Sequence, residues 1–111
     1  MVSKIKEVGQ ENCFVSEMTL AELSYGAWKS QNLKHFRDLE DVRRAFEVFP
    51  IYPAIDEYGK TKASLEQKGQ RIDEIDLFIG AVALHNHCVM VTHNVKHFER
   101  ISQLEVENWL V

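Results

Sequence analysis

The sequence predicts an α/β fold, with a parallel, twisted sheet covered by helices on both faces. Short apolar stretches alternate along the chain with segments of helical periodicity, and 45% of the 111 residues are hydrophobic. Strands that are separated by helices pair in parallel, because the intervening helix must cross a face of the sheet. This length and composition suit one domain, residues 1–111, whose modest core needs no disulfide or metal.

The first half of the chain contains three predicted helices. The end of a helix is expected at residues 1–9, where Gly9 closes it, and NCFVSEM follows as a short buried strand. Helices are then expected at about residues 19–30 and from Leu33 onward, where apolar residues recur at helical spacing as far as Phe49. The chain therefore opens in a helix, whereas such sheets usually begin with a buried strand, so a first strand is missing from the pattern.

The second half continues the alternation. VFPIYP is predicted to be extended, residues 54–68 form a helix that Gly69 ends, and another helix runs from Asp73 to about Asn86. CVMVT and LEVENW are predicted strands on either side of a turn, HNVKHF. Gly80 is expected to be small because its helix packs closely on the sheet.

Charge and apolar patterning exclude several classes of protein. Thirteen basic and seventeen acidic residues give a net charge of −4, which does not favour a simple nucleic-acid binder. It remains compatible with a nuclease whose acidic residues gather a divalent cation. The longest apolar run, residues 77–84, is far short of the roughly 20 residues that span a bilayer, and no signal peptide precedes it. The chain is predicted to be cytoplasmic, away from membranes, with Cys13 and Cys88 reduced.

Three carboxylates crowd the start of the helix RIDEIDLFIGAVAL. Asp73 is well placed as an N-cap, and Asp76 either reaches back as its capping-box partner or points into a cleft. Ligands of open α/β sheets bind at the carboxyl ends of the strands, where helices begin. Asp76 is therefore a candidate metal ligand.

A second candidate carboxylate lies in SEMTLAELSYG. Glu22 either completes a capping box with Thr19 or pairs with Asp76 to hold Mg²⁺ or Mn²⁺, which prefer oxygen ligands. Glu17, just before this helix, is expected to be a solvated charge at the end of a strand. Tyr25, Trp28 and Trp109 are expected in the core or in an interface.

The segment HNHCVMVTHNVKHF contains most of the histidines. His85 and His87 lie at a helix end, where cationic side chains often interact with the last backbone carbonyls. A zinc site that includes Cys88 is the alternative, although the spacing matches no closed Cys/His zinc pattern. Polar residues after the strand CVMVT lie where the site is expected: His93, Asn94 and His97.

Four motifs together resemble the PIN domain family, specifically the VapC-type toxins of toxin-antitoxin pairs: VSEMTLAELSYGAWKS, DEIDLFIGAVAL, VTHNVKHFERI and LEVENW. The resemblance implies an α/β/α sandwich and an endoribonuclease that depends on Mg²⁺ or Mn²⁺, often cuts tRNA or ribosomal RNA, and is inhibited by a cognate antitoxin. Glu22 matches the acid of the family's T-x-A-E-L motif and Asp76 that of its D-x-x-I-A-A motif. In the family these acids bind the metal that activates the attacking water. Asp73 and Glu74 then cap or tune the helix start.

The chain departs from the family pattern at two places. The family's first strand, with an L-D-T-N motif whose aspartate binds metal, has no counterpart, and at T-x-N-x-x-[DE]-F the chain keeps Asn94 but has His97 where the acid stands. Fewer ligand charges predict weak or absent ribonuclease activity. His97 is a candidate general base, which a pH-rate profile unaltered by His97→Ala would contradict.

Two alternatives to a ribonuclease remain open at this point. One is a catalytically inactive PIN remnant that dimerises or binds an antitoxin, and the other is a histidine-rich metal-binding protein unrelated to RNA. A missing strand would leave exposed edges and apolar surface, so a homodimer is expected.

Overall fold

The structure is a computed structural model that describes residues 7–9, 13–91 and 95–108. Its contacts group the chain into two compact units, Met1–Phe49 and Pro50–Val111, which are described in turn. Most of the predicted first helix, the segment around Asn94 and the end of LEVENW, including Trp109, lie outside the described residues. Glu7 and Val8 are helical and Gly9 has φ 97°, as expected for a glycine that closes a helix.

Strand β1 (Phe14–Ser16) leads directly into helix α1 (Glu17–Ser30). Ser16 has extended backbone angles, and its hydroxyl oxygen accepts a hydrogen bond of 3.0 Å from the backbone N–H of Thr19. Ser16 is thus the N-cap, and the helix begins two residues before the predicted start at about residue 19 and ends as predicted at Ser30. Glu17 consequently lies in the first helical turn, where the helix dipole favours an acid, and not at the end of a strand.

Helix α2 (Leu33–Ala45) and strand β2 (Glu47–Phe49) complete the first unit. The backbone becomes extended at Phe46, so the last two positions of the apolar spacing, Phe46 and Phe49, lie beyond the helix. The predicted extended piece VFPIYP is a strand at Val48 and Phe49, whereas its last two residues belong to a 3₁₀ turn. Strands β1 and β2 pair in parallel, which places Ser16 opposite Phe49 and stacks Phe49 on Phe14 with ring centroids 4.6 Å apart. The predicted parallel pairing is confirmed in this unit.

The second unit opens with a 3₁₀ turn (Tyr52–Ala54) and two longer helices, α3 (Ile55–Gln67) and α4 (Glu74–His85). Both helices agree with the predicted bounds to within a residue or two, and Gly69 has φ 66°, a conformation that glycine adopts without strain. Strand β3 (Met90–Val91), helix α5 (Val95–Phe98) and strand β4 (Val106–Glu107) follow. Strands β3 and β4 also pair in parallel.

The core of the second unit is a cluster of four buried side chains, Leu65, Leu77, Phe98 and Ile101. Gly80 lies against it: a Cβ atom at this position would be 2.7 Å from Cδ1 of Ile101 and 3.5 Å from the ring of Phe98. Gly80 is therefore small because α5 and the turn after it approach α4 closely, and not because of the expected sheet contact.

The remaining expectations concern exposed and reactive side chains. Tyr25 and Trp28 are 67% and 68% exposed, so neither belongs to the core. Cys13 and Cys88 are unpaired and half-buried, as predicted. No helix among the described residues has both the length and the apolar character needed to cross a membrane.

Candidate active site

The start of α4 separates the roles of its acidic residues. Asp73 is the N-cap: its carboxylate accepts a hydrogen bond of 3.2 Å from the N–H of Ile75, and its carbonyl accepts one of 2.9 Å from the N–H of Leu77. Asp76 makes no capping contact, and no described residue donates a hydrogen bond to its carboxylate. The capping-box alternative for Asp76 is therefore wrong, because its carboxylate does not accept a hydrogen bond from the backbone N–H of Asp73.

The environment of Asp76 disfavours its charge. Its side chain is half-buried, and this burial raises the pKa of the Asp76 carboxyl above its usual range. The nearby charge of Asp73 raises the pKa further, whereas His97 acts in the opposite direction and lowers it. A carboxylate that has lost water without gaining a donor is a group that a cation would stabilise.

His97 lies near enough to Asp76 for its charge to lower the pKa of that carboxyl, because of the way α5 packs. The next residue, Phe98, is 1% exposed and contacts the position of Gly80, one helical turn after Asp76. Side chains four residues apart lie on the same face of a helix, so α5 covers the face of α4 that carries Asp76. The structure thus brings together two of the predicted site residues, Asp76 and His97.

The other two predicted site residues are Glu22 and Asn94. Glu22 is an exposed residue in the second turn of α1, within the first unit. Because Ser16 caps this helix, the alternative that Glu22 completes a capping box with Thr19 was wrong. Asn94 lies outside the described residues.

Glu74, the third acid of the cluster, connects α4 to α3. Its carboxylate accepts a hydrogen bond from the hydroxyl of Tyr58 and lies 3.1 Å from Nζ of Lys62. The ring of Tyr58 stacks on Phe78 with centroids 4.1 Å apart. Glu74 is thus engaged in packing two helices together, which leaves Asp76 as the acid available for chemistry.

Among the described residues, the histidines at the end of α4 do not belong to a cluster of metal-binding side chains. Nδ1 of His85 lies 3.1 Å from a carboxylate oxygen of Glu57, and this polar interaction is the main cause that lowers the pKa of Glu57. His87 is exposed, with φ 56°. Within the described ranges no three His, Cys, Asp or Glu side chains come together to hold an ion.

Comparison with known proteins places these features in a family. The sequence model of the PIN domain matches residues 2–104. The chain is 32% identical over 114 residues to the ribonuclease VapC2 of Haemophilus influenzae, covering 99% of this chain and 84% of that protein. It is 30% identical to the tRNA(fMet)-specific endonuclease VapC of Shigella flexneri, covering 92% and 79% respectively.

A solved structure agrees with the sequence comparison. The structure of VapBC-1 from nontypeable Haemophilus influenzae matches with a TM-score of 0.78 at 37% identity, covering 86% of this chain and 74% of the other. The chain therefore belongs to the PIN domain family, and within it to the VapC type. Its α/β class with parallel strands, expected from the sequence, is the fold of that family. Ribonucleases of this type generally depend on divalent metal ions.

Proposed function

We propose that this protein is a metal-dependent endoribonuclease, the toxin of a toxin-antitoxin pair. The observation that carries the proposal is the half-buried carboxylate of Asp76, which receives no hydrogen bond from any described residue and lies near His97 at the start of α4. The VapC-type relatives, named as ribonucleases, support the same activity.

The donor chemistry of the site fits a divalent cation. Asp76 offers a half-buried carboxylate, and Mg²⁺ and Mn²⁺ prefer oxygen ligands of this kind. Asp76 alone is fewer ligands than such an ion takes, and Glu22 of α1 is proposed as the second carboxylate because it matches the acid of the family's T-x-A-E-L motif. A bound divalent ion supplies an activated water and stabilises the charge that develops on the phosphodiester.

The other polar residues of the site act on the water and the substrate. His97 accepts the proton that the attacking water loses; its effect on the pKa of the Asp76 carboxyl supports this role, because it requires the two side chains to be near each other. Asn94 orients the water or adds a neutral oxygen ligand. A substitution of His97 can therefore slow cleavage without abolishing binding of the ion.

The substrate class and partner follow from the relatives. An RNA, with tRNA as the first candidate, is proposed because one relative is specific for tRNA(fMet). A VapB-like antitoxin is proposed as partner because the VapC-type neighbour was solved as a VapBC complex. A cytoplasmic homodimer is proposed for the toxin itself.

The test is cleavage of purified tRNA by the full chain with Mg²⁺, with Mn²⁺ and with EDTA. The wild type is expected to cleave only with metal, and Asp76→Asn and Glu22→Gln are expected to lower the rate by at least about a hundredfold, since each removes a ligand. Asp56→Asn and Glu40→Gln are matched controls on exposed helical faces and retain the rate. His97→Gln lowers the rate, whereas His87→Gln does not.

Cleavage that persists in EDTA, or that is equal in Asp76→Asn and Asp56→Asn, contradicts the proposal. A wild-type chain that binds its antitoxin but cleaves nothing with either metal would instead favour a binding module.

A further inference from the structure

The guanidinium of Arg100 lies against the backbone of Arg71, beside the start of α4. Nη1 of Arg100 donates a hydrogen bond of 2.8 Å to the backbone carbonyl of Arg71, a residue 29 positions earlier in the chain. Arg71 lies two residues before the N-cap Asp73, so this bond holds the guanidinium of Arg100 at the segment that leads into α4. The candidate ligand Asp76 lies in the first turn of the same helix.

The guanidinium groups of Arg71 and Arg100 form no ion pair within the described part of the chain. Both side chains are exposed, and neither forms an ion pair with a described carboxylate, whereas Lys60 and Lys62 of the same unit pair with Asp56 and Glu74. An arginine presents several N–H donors in a planar fork, so a bond from Nη1 to a carbonyl leaves other donors for an anion. Phosphate is the anion that this fork matches best.

A cavity of about 260 Å³ lies next to Arg71. Its apolar wall is formed by Leu65, Ile72 and Leu77. Its polar lining consists of one amide, two basic and two acidic side chains: Gln70, Lys62, Arg71, Glu66 and Glu74. It is smaller than the roughly 300 to 1,000 Å³ of pockets for drug-sized ligands, and its mixed lining suits one flat, polar-edged ring. Proteins recognise single-stranded RNA by taking up splayed bases in such places.

We propose that this arginine pair and cavity form a nucleotide subsite for the RNA substrate. Arg71 and Arg100 bind a backbone phosphate next to the one that is cleaved, and the cavity receives the base of that nucleotide. The subsite rests on the proposed ribonuclease function, because it presumes an RNA bound at the start of α4. It positions the substrate and takes no part in the cleavage step.

The test is equilibrium binding of a fluorescent single-stranded RNA in EDTA, so that no cleavage occurs, over a series of salt concentrations. Removing one phosphate contact is expected to make the slope of log Kd against log salt shallower by about 0.7 and to weaken binding about tenfold at low salt. Arg71→Gln and Arg100→Gln should show this change. Arg44→Gln, an exposed arginine of the other unit, removes the same charge and keeps the wild-type slope.

Two further variants separate a ligand contact from a structural role. Arg100→Lys keeps the charge and is expected to retain most of the salt slope, and a thermal melt verifies that Arg100→Gln is folded. Gln70→Trp fills the cavity and is expected to weaken binding of RNA but not of inorganic polyphosphate, which has no base. Equal weakening for both ligands would overturn the assignment of the cavity.

Failure of the subsite is distinguishable from failure of the proposed function. If the wild type cleaves RNA and Asp76→Asn does not, while both arginine variants keep the wild-type affinity and slope, the subsite alone is overturned. If the wild type neither binds nor cleaves RNA, both proposals are overturned.

Discussion

The close packing of α5 on α4 predicts that Gly80 cannot be replaced by alanine without cost. The added methyl group would lie 2.7 Å from Cδ1 of Ile101, a distance at which one of the two side chains must move. Ile101 is 2% exposed and packed among Leu77 and Phe98, so it has little room to shift. Overpacking of this kind costs about 1 to 3 kcal/mol, and the better helix propensity of alanine offsets about 1 kcal/mol of it.

Gly59 supplies the matched control because it also lies inside a helix but has no neighbour within 4 Å of an added Cβ. Gly59→Ala should therefore gain the helix propensity alone and stabilise the fold by up to about 1 kcal/mol. The free energy of unfolding, measured by urea denaturation, should be lower for Gly80→Ala than for Gly59→Ala by about 1 to 3 kcal/mol.

A second substitution identifies the atom responsible. Ile101→Val removes the Cδ1 methyl that meets the new Cβ, so in the Gly80→Ala background it should restore stability, whereas alone it costs about 0.5 to 1.5 kcal/mol. Because α5 carries His97, Gly80→Ala should also slow RNA cleavage. If Gly80→Ala stabilises the protein as much as Gly59→Ala does, the packing explanation fails.

Three further predictions concern charge and assembly. The pKa of Asp76 is raised in the folded state, so its charge opposes folding at neutral pH, and Asp76→Asn should raise the Tm at that pH. The gain in Tm should shrink as the pH falls through the raised pKa, and a gain that is constant with pH would contradict this prediction. The pKa of Glu57 is lowered by His85, so Glu57→Gln should lower the Tm at neutral pH. The difference in Tm should disappear once the pH falls through the lowered pKa. A lower Tm at every pH would indicate lost packing instead. The chain should elute as a dimer on sizing at micromolar concentration, and a monomer would end that proposal.

Local signals explain what the sequence predicted well. The N-cap Asp73 and the closing Gly69 act on the backbone within a few residues, so their effects follow from neighbouring sequence alone. Asp76 was identified because one cap satisfies a helix start, which leaves a further acid in need of another role. The sequence predicted only that Asp76 and His97 lie at the same end of the sheet, because their proximity depends on how α5 packs on Gly80.

Competing local signals explain the errors of register. Ser16 and Thr19 are both good caps, and the choice between them depends on where strand β1 ends, which its pairing with β2 decides. Phe46 and Phe49 are three residues apart, which is compatible with a helix. Four residues are too few to distinguish helical periodicity from a short apolar strand.

Contacts between distant residues had no signal in the sequence. Lys62 and Tyr58 reach Glu74 from another helix, so an acid that looked like part of the helix start is instead a link between α3 and α4. The acceptor of the Arg100 hydrogen bond is a backbone carbonyl, which every residue possesses, so no residue type could mark it.

The most direct test of the central claim is calorimetric titration of Mn²⁺ into the full chain and into Asp76→Asn, Glu22→Gln and the control Asp56→Asn. The wild type and Asp56→Asn should bind the ion, and the other two variants should lose that binding, because each lacks a carboxylate assigned to the site. Binding of equal strength in the wild type and in Asp76→Asn would contradict the assignment of α4 as the metal-binding helix.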